Sequence, residues 1–149
     1  DFWTMHNRLT QIINYEHDEL VLQNFTKRLA ERVCLEFSAD GLLVRQPHSL
    51  KEIEDEGRIL SHCVGGYAER HAMGKLSIMF LRKVSEPDKP YYTVEVSQYG
   101  GIVQCRGYRN NAVRNGGEAK PPEIKSFEKK YQQYLDRIFA EKRKERKSA

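Results

Sequence analysis

The sequence predicts an α+β domain in which an antiparallel sheet of about five strands, built from two hairpin or meander units, packs with N-terminal and C-terminal helices. Three observations lead to this prediction. Apolar residues recur at helical spacing at both ends of the chain and again near residues 50–60. Alternating strand patterns occupy residues 76–106. Short turns connect these patterns, and short turns join antiparallel strands rather than parallel ones.

Length and composition favour one domain with a well-solvated surface. The chain has 149 residues, of which 39% are hydrophobic and 31% charged, and this balance is typical of globular proteins. We assign residues 1–140 to the domain and residues 141–149 to a basic tail or linker. No apolar run approaches the roughly 20 residues needed to span a bilayer, and no signal peptide is evident. Because three widely spaced cysteines are an odd count, we expect a reducing, cytoplasmic location without a membrane partner.

The positive charge of the chain is concentrated at its C-terminus. The net charge is +4, and residues 141–149 carry five of the 25 Lys and Arg but only two of the 21 Asp and Glu. We therefore interpret the charge as a tail rather than as a basic binding face. A final helix is predicted to begin at Pro121-Pro122, and its apolar stripe ends near Ala140. Because the chain starts with Asp1 rather than Met, we also expect it to be a fragment.

Two helices and a hairpin are predicted in the first third of the chain. Apolar spacing indicates one helix within residues 2–13 and a second over residues 18–32. Two short apolar runs then flank Asp40-Gly41. This dipeptide indicates a hairpin, because glycine supplies the positive φ that a tight turn demands.

The next helix ends in a chemically unusual turn. A capping box at Ser49 starts this helix, which should run to about Leu60. His62 and Cys63 follow it directly, and Gly65-Gly66 allows the backbone to approach a ligand closely. The C-terminal end of a helix favours a cationic imidazole and disfavours a thiolate, so this helix does not activate Cys63.

The three strands that follow, at about residues 76–83, 91–97 and 102–106, carry different side chains on their two faces. One face is an apolar core, formed by Met79, Leu81, Tyr92, Val94, Val96, Val103 and Cys105. The other face carries Ile78, Phe80, Arg82, Thr93, Glu95, Ile102, Gln104 and Arg106. The polar residues of this second face either meet solvent as weak cross-strand pairs or line a pocket beneath the His62–Cys63 turn.

A polar loop over residues 107–117 follows the last strand. Its arginines and asparagines suit contact with phosphates or bases, although such residues also occur in any exposed loop. An aromatic residue beside them in the loop suits the same contacts. The earlier turn over residues 61–67 closes with another aromatic residue, Tyr67. We assign candidate nucleic-acid or ligand-binding roles to Tyr67, Arg106, Arg109, Asn110 and Arg114.

Three kinds of chemistry are considered for the turn. A Cys63 nucleophile would need His62 or His71 as its base, and adjacent residues rarely aim at each other. A zinc site lacks any C-x-x-C or H-x₃-H pair, and no phosphate-loop or dinucleotide fingerprint occurs, so we expect no metal or cofactor. A general acid–base site would use Glu95 with His62. In such a site, either Arg82 or Arg106 on the same strand face would hold an anion.

Four ordered segments stand out in the sequence: EGRILSHCVGGY at residues 56–67, IMFLR at 78–82, TVEV at 93–96 and QCRG at 104–107, followed by Asn110. Together they resemble the PcfJ-like protein family, which is encoded on conjugative plasmids, phages and related mobile elements of bacteria. The resemblance covers roughly residues 40–140. It implies that the family's recurrent polar positions fall on His62, Cys63, Arg82, Glu95, Gln104 and Asn110.

The resemblance together with the strand pattern gives the functional expectation. We expect a mobile-element accessory domain, for conjugation or a phage, that acts on or near nucleic acid through a polar pocket on the sheet. The candidate catalytic residues are His62, Cys63, Arg82, Glu95 and Gln104. One alternative is a transferase or hydrolase, for example of the ADP-ribosyltransferase type, that uses the His62–Glu95 pocket on a nucleotide. The other is a non-catalytic module that binds mobile-element or host proteins.

Overall fold

The computed structural model describes the backbone of residues 2–148 and the side chains of Met5, Arg8 and residues 17–148. These residues form four α-helices and five strands, with the strands grouped in two runs between helices, which confirms the predicted α+β class. The helices are α1 (Phe2–Arg32), α2 (Leu50–Leu60), α3 (Ala68–Ala72) and α4 (Pro122–Ser148). The strands are β1 (Phe37–Ala39), β2 (Leu42–Arg45), β3 (Leu76–Lys83), β4 (Tyr92–Ser97) and β5 (Ile102–Arg106). None of the helices in this described part carries an apolar stretch long enough to cross a bilayer.

The N-terminal segment is one helix, so the prediction of two helices was wrong. Helix α1 continues from Phe2 to Arg32, because neither Gly nor Pro interrupts residues 14–17. The apolar stripe predicted at residues 2–13 lies mostly outside the described side chains. Farther along α1, Val21 and Phe25 are buried as the spacing requires.

The five strands form one antiparallel sheet in the order β1-β2-β3-β4-β5, so each strand pairs with its neighbours in sequence. The predicted hairpin turn lies between β1 and β2. Asp40 and Gly41 both have positive φ, at 54° and 77°, which is the geometry that matches the twist of a two-residue hairpin. A simple meander of this kind places β4 and β5 side by side, and the polar pocket predicted from the sequence depends on that arrangement.

Each face of the sheet is covered by a different helix. Helix α4 covers the face with the larger core, and its Tyr131 hydroxyl donates to the Leu35 carbonyl at 2.8 Å. Helix α2 covers part of the other face through Ile53, which packs against Ile78 and Phe80. The second face is therefore neither fully solvent nor fully core, and the region beside α2 remains available for a pocket.

A β-bulge shifts the alternation in β5, so the prediction was wrong at Ile102 and Val103. Glu95 pairs with Gln104, but the next residue, Val96, pairs with Ile102. Val103 is the extra residue of the bulge and is 59% exposed, whereas Ile102 packs against the core beneath α4. The insertion of one residue reverses the facing of its neighbours.

His71 is a buried histidine that makes stability depend on pH. Its Nδ1 accepts from the Ile78 amide at 2.9 Å, and its ring lies 5.7 Å from that of Phe25. Burial, followed by the charge of Arg32, lowers the pKa of His71 from 6.5 to about 3. The unfolded chain therefore binds a proton below pH 6.5 that the folded chain does not bind until about pH 3.

We expect acid to destabilise the fold through His71. Between pH 6.5 and about 3, this residue should remove about 1.4 kcal/mol of unfolding free energy for each pH unit. Urea unfolding of the wild type and of His71→Gln at several pH values measures this, because glutamine can accept the same amide without titrating. The free energy of unfolding should fall more steeply with decreasing pH in the wild type than in His71→Gln. An equal pH dependence of the unfolding free energy in both proteins would contradict the low pKa of His71.

Candidate functional site

A cavity of about 390 Å³ opens between the turn after α2, the polar face of β4 and β5, and the loop after β5. We call it the sheet pocket. Its lining is formed by His62, Cys63, Val64, Tyr67, Ile78, Thr93, Glu95, Gln104, Arg106 and Asn110. Seven of the ten residues assigned from sequence to catalysis or binding thus meet in one cavity. Arg82 lies behind it, and Arg109 and Arg114 line a neighbouring depression that shares Asn110.

Local backbone geometry folds the turn over the sheet. Ser61 ends α2 in the left-handed conformation, with φ 51° and ψ 49°. The turn then packs back against α2 at Gly57, where an added Cβ would lie 2.9 Å from the Gly65 nitrogen and 3.1 Å from the His62 carbonyl oxygen. Gly57 is thus needed for close packing, and it holds His62 above β4.

The His62 ring is fixed on both sides. Its Nε2 lies 3.0 Å from the Thr93 hydroxyl oxygen, and its Nδ1 accepts from the Val64 amide at 3.4 Å. Because Nδ1 accepts, the proton of the neutral ring is on Nε2, which donates to Thr93. Burial lowers the pKa of His62, and the nearby charge of Glu56 only partly opposes this effect. The ring is therefore an oriented, neutral group at pH 7.

A buried ion pair continues the hydrogen-bond chain behind the pocket. The Thr93 hydroxyl donates to Glu56 Oε2 at 2.7 Å. Arg82 donates to both oxygens of the same carboxylate, at 2.6 and 3.0 Å. Glu56 and Arg82 are 1% and 2% exposed. Arg82 does not line the pocket and is connected to it by hydrogen bonds through Glu56, Thr93 and His62. It therefore supports the residues of the pocket and does not contact a ligand there.

Glu56 was not assigned a role from the sequence, although one signal pointed to it. It lies between Ile53 and Leu60 at helical spacing, so the apolar stripe of α2 contains a carboxylate. A carboxylate in such a stripe must find a partner when the helix packs. The sequence alone does not identify Arg82 as that partner.

The cross-strand pair Glu95 and Gln104 forms the floor of the sheet pocket. Gln104 Nε2 donates to Glu95 Oε1 at 2.9 Å, which fixes the carboxylate. Within the described residues, Glu95 Oε2 makes no hydrogen bond or salt bridge. The carboxylate therefore presents one acceptor oxygen to any ligand that enters the pocket.

The loop after β5 is held in a strained conformation at the edge of the pocket. Arg109, Asn110 and Asn111 have consecutive positive φ values of 51°, 57° and 61°. Asn111 stabilises this shape, because its amide donates to the Tyr92 hydroxyl at 3.0 Å and its Oδ1 accepts from the Gly107 amide at 2.9 Å. Left-handed residues other than glycine cluster at ligand sites. The loop thus presents Asn110 to the pocket at an energetic cost.

The structure places Cys63, but neither of the other two cysteines nor His71, at the sheet pocket. Cys63 is exposed at the pocket, Cys105 is buried and Cys34 is half-buried. His71 is fully buried against Ile78 and does not line the pocket. Burial raises the pKa of the Cys105 thiol. Over the part of the chain that the structure describes, no three His, Cys, Asp or Glu side chains come close enough to hold a metal ion.

Comparison with known proteins gives a family match. A family model described as "PcfJ-like protein" matches residues 1–119. The chain is also similar to a protein of Listeria innocua serovar 6a (strain ATCC BAA-680 / CLIP 11262) described as "Uncharacterized protein Lin1253/Lin1744", with 32% identity over 107 residues. The matched region covers 70% of this chain and 23% of the Listeria protein. No solved structure matches the chain significantly.

Proposed function

Because this chain belongs to the PcfJ-like protein family, we propose that it is a domain of a bacterial mobile-element protein that acts on or near nucleic acid, and that its sheet pocket holds one nucleotide unit. The observation that carries the proposal is the combination of side chains in one cavity. An aromatic ring, a fixed carboxylate–amide pair and an arginine line a volume of about 390 Å³. Such a volume lies within the roughly 300–1,000 Å³ range of small-ligand pockets.

The pocket offers a different contact for each part of a nucleotide. Tyr67 supplies a ring on which a base can stack, and the guanidinium of Arg70 lies 4.1 Å from the centre of that ring and steadies it. Glu95 Oε2 can accept from an exocyclic amino group of a base. Arg106 is exposed at the end of β5 and can pair with a phosphate.

A catalytic role of the same pocket is a second candidate, and the orientation of Glu95 favours it. A carboxylate held by Gln104 beside a neutral, fixed imidazole can stabilise a developing positive charge on a ribose. Transfer or hydrolysis at the anomeric carbon of a nucleotide, as in ADP-ribosyl transfer, would require such a group. Because both ring nitrogens of His62 already make hydrogen bonds, we propose Glu95 as the residue that contacts the reacting atoms.

The proposal is tested by isothermal titration of the 149-residue chain with nucleoside monophosphates and with NAD, followed by mass spectrometry of the recovered ligand. Saturable binding with an unchanged ligand supports the binding function, and a cleaved or transferred nucleotide supports the catalytic one. Absence of binding to every nucleotide at millimolar concentration would refute both and leave a protein-interaction module.

If a product forms, Glu95→Gln should reduce its rate of formation by about 100-fold or more, because the amide cannot stabilise positive charge. Glu95 is half-buried and pairs only with Gln104 in the described residues, so the melting temperature should change little. The matched control is Glu86→Gln, an exposed acidic residue in the β3–β4 loop. Equal rates for Glu95→Gln and the wild type would exclude Glu95 as a catalytic residue.

A further inference from the structure

A second concave surface lies on the α4 side of the sheet, away from the sheet pocket. Its volume is about 430 Å³, and it opens between the end of α1, the β4–β5 turn and the last turns of α4. We call it the basic cleft, because Arg28, Arg32, Lys142, Arg143 and Arg146 line it. Three of these residues come from the segment interpreted above as a tail. Helix α4 continues through that segment to Ser148. The basic residues of the segment therefore lie beside the end of α1.

Within the described residues, no salt bridge neutralises the basic side chains of the cleft. Among the described residues, none of its five basic side chains lies within 4.0 Å of a carboxylate. Glu31 also lines the cleft, so the five positive charges face one negative charge. A concave surface with this excess of positive charge attracts polyanions.

Arg32 is a buried cation that the fold holds in a fixed position in the cleft. It is 4% exposed, and its guanidinium donates to the Ser77 hydroxyl at 2.9 Å and to the Leu76 carbonyl at 3.1 Å. Burial and the neighbouring Arg28 lower the pKa of Arg32 to about 10, so it stays charged at neutral pH. A buried cation with only neutral partners is costly in isolation, and an anion bound in the cleft would offset that cost.

Aromatic groups lie beside these charges. Tyr99 in the β4–β5 turn lines the cleft and is 79% exposed. Phe139 also lines it, and Lys142 Nζ lies 5.1 Å from the centre of that ring. Basic groups combined with an exposed aromatic ring are characteristic of surfaces that bind single strands, because unpaired bases offer their faces for stacking and duplex bases do not.

We propose that the basic cleft binds the backbone of single-stranded nucleic acid, with Tyr99 stacking on one base. The proposal rests on residues that the sheet pocket does not use, so the two sites can fail independently. A strand held here would lie against α1 and α4, whereas the nucleotide proposed above would lie on the opposite face of the sheet.

The test is the fluorescence anisotropy of a labelled 12-nucleotide dT strand titrated with the full chain at several salt concentrations. The cleft variant Lys142→Gln/Arg143→Gln/Arg146→Gln should weaken binding at least tenfold at about 100 mM salt. The slope of log K against log salt should become shallower by about 2. The matched control Lys129→Gln/Lys144→Gln/Lys147→Gln removes three charges from the same helix outside the cleft and should weaken binding less than threefold. Circular dichroism confirms that both variants keep their helices.

Tyr99→Ala tests the preference for single strands. It should weaken binding of the dT strand by about 5-fold or more and leave binding to a 12-base-pair duplex unchanged. Equal losses in the cleft and control variants would overturn the proposal, as would no binding by the wild type at 50 mM salt. A duplex bound as tightly as the single strand, with no effect of Tyr99→Ala, would overturn the single-strand assignment.

Discussion

Replacing Glu56 with alanine is expected to lower the free energy of unfolding by about 3–5 kcal/mol. Glu56 is 1% exposed and accepts hydrogen bonds from Arg82 and Thr93. Its removal leaves the Arg82 guanidinium buried without a counter-ion and leaves Thr93 without its acceptor. Urea unfolding at pH 7 measures the loss.

Two further variants isolate the cause of this loss. The double variant Glu56→Leu/Arg82→Met removes both buried charges and should recover at least half of the lost stability, because an apolar pair can replace a buried ion pair. The control Asp55→Ala removes the carboxylate that precedes Glu56 in α2. Asp55 Oδ1 lies 3.3 Å from a guanidinium nitrogen of Arg58 at the protein surface. That change should cost less than about 1 kcal/mol. A double variant no more stable than Glu56→Ala would show that the unpaired charge of Arg82 does not cause the loss of stability.

Replacing Arg106 with glutamine is expected to weaken nucleoside monophosphate binding by about 10- to 100-fold, because the phosphate loses a charge-assisted contact worth roughly 1.5–3 kcal/mol. Binding of the corresponding nucleoside, which has no phosphate, should change less than twofold. Isothermal titration of both ligands with the wild type and the variant measures the difference.

The control for this prediction is Arg137→Gln, which removes an exposed arginine from α4 on the other side of the sheet. It should leave both affinities unchanged. If Arg106→Gln weakens nucleoside and nucleotide equally, Arg106 does not contact the phosphate. If it weakens neither, the nucleotide does not lie beside β5.

Local and periodic features of the sequence predicted the parts of the fold that depend on neighbours in the chain. The hairpin at Asp40-Gly41 was predicted because its turn geometry is set by the two residues themselves. Strand alternation placed Glu95 and Gln104 together, because adjacent strands of a meander keep their facing. The same alternation failed at Val103, because a bulge is set by pairing with the partner strand and leaves no local signal.

Features that depend on distant partners were missed. Glu56 and Arg82 are 26 residues apart, and only the packing of α2 on the sheet brings them together. The charges at residues 142–146 were interpreted as a solvated tail, helix end or linker, because the sequence does not show that α4 brings them beside α1. The basic cleft consequently emerged only from the structure.

The rate at which iodoacetamide alkylates Cys63, followed by mass spectrometry with and without nucleoside monophosphate, tests the proposed nucleotide site most directly. Cys63 is exposed in the lining of the sheet pocket, and the half-buried Cys34 lies outside that lining and serves as an internal control. The proposal predicts that the nucleotide slows alkylation of Cys63 saturably and leaves Cys34 unchanged. Alkylation of Cys63 at the same rate in the presence of saturating nucleotide would contradict it.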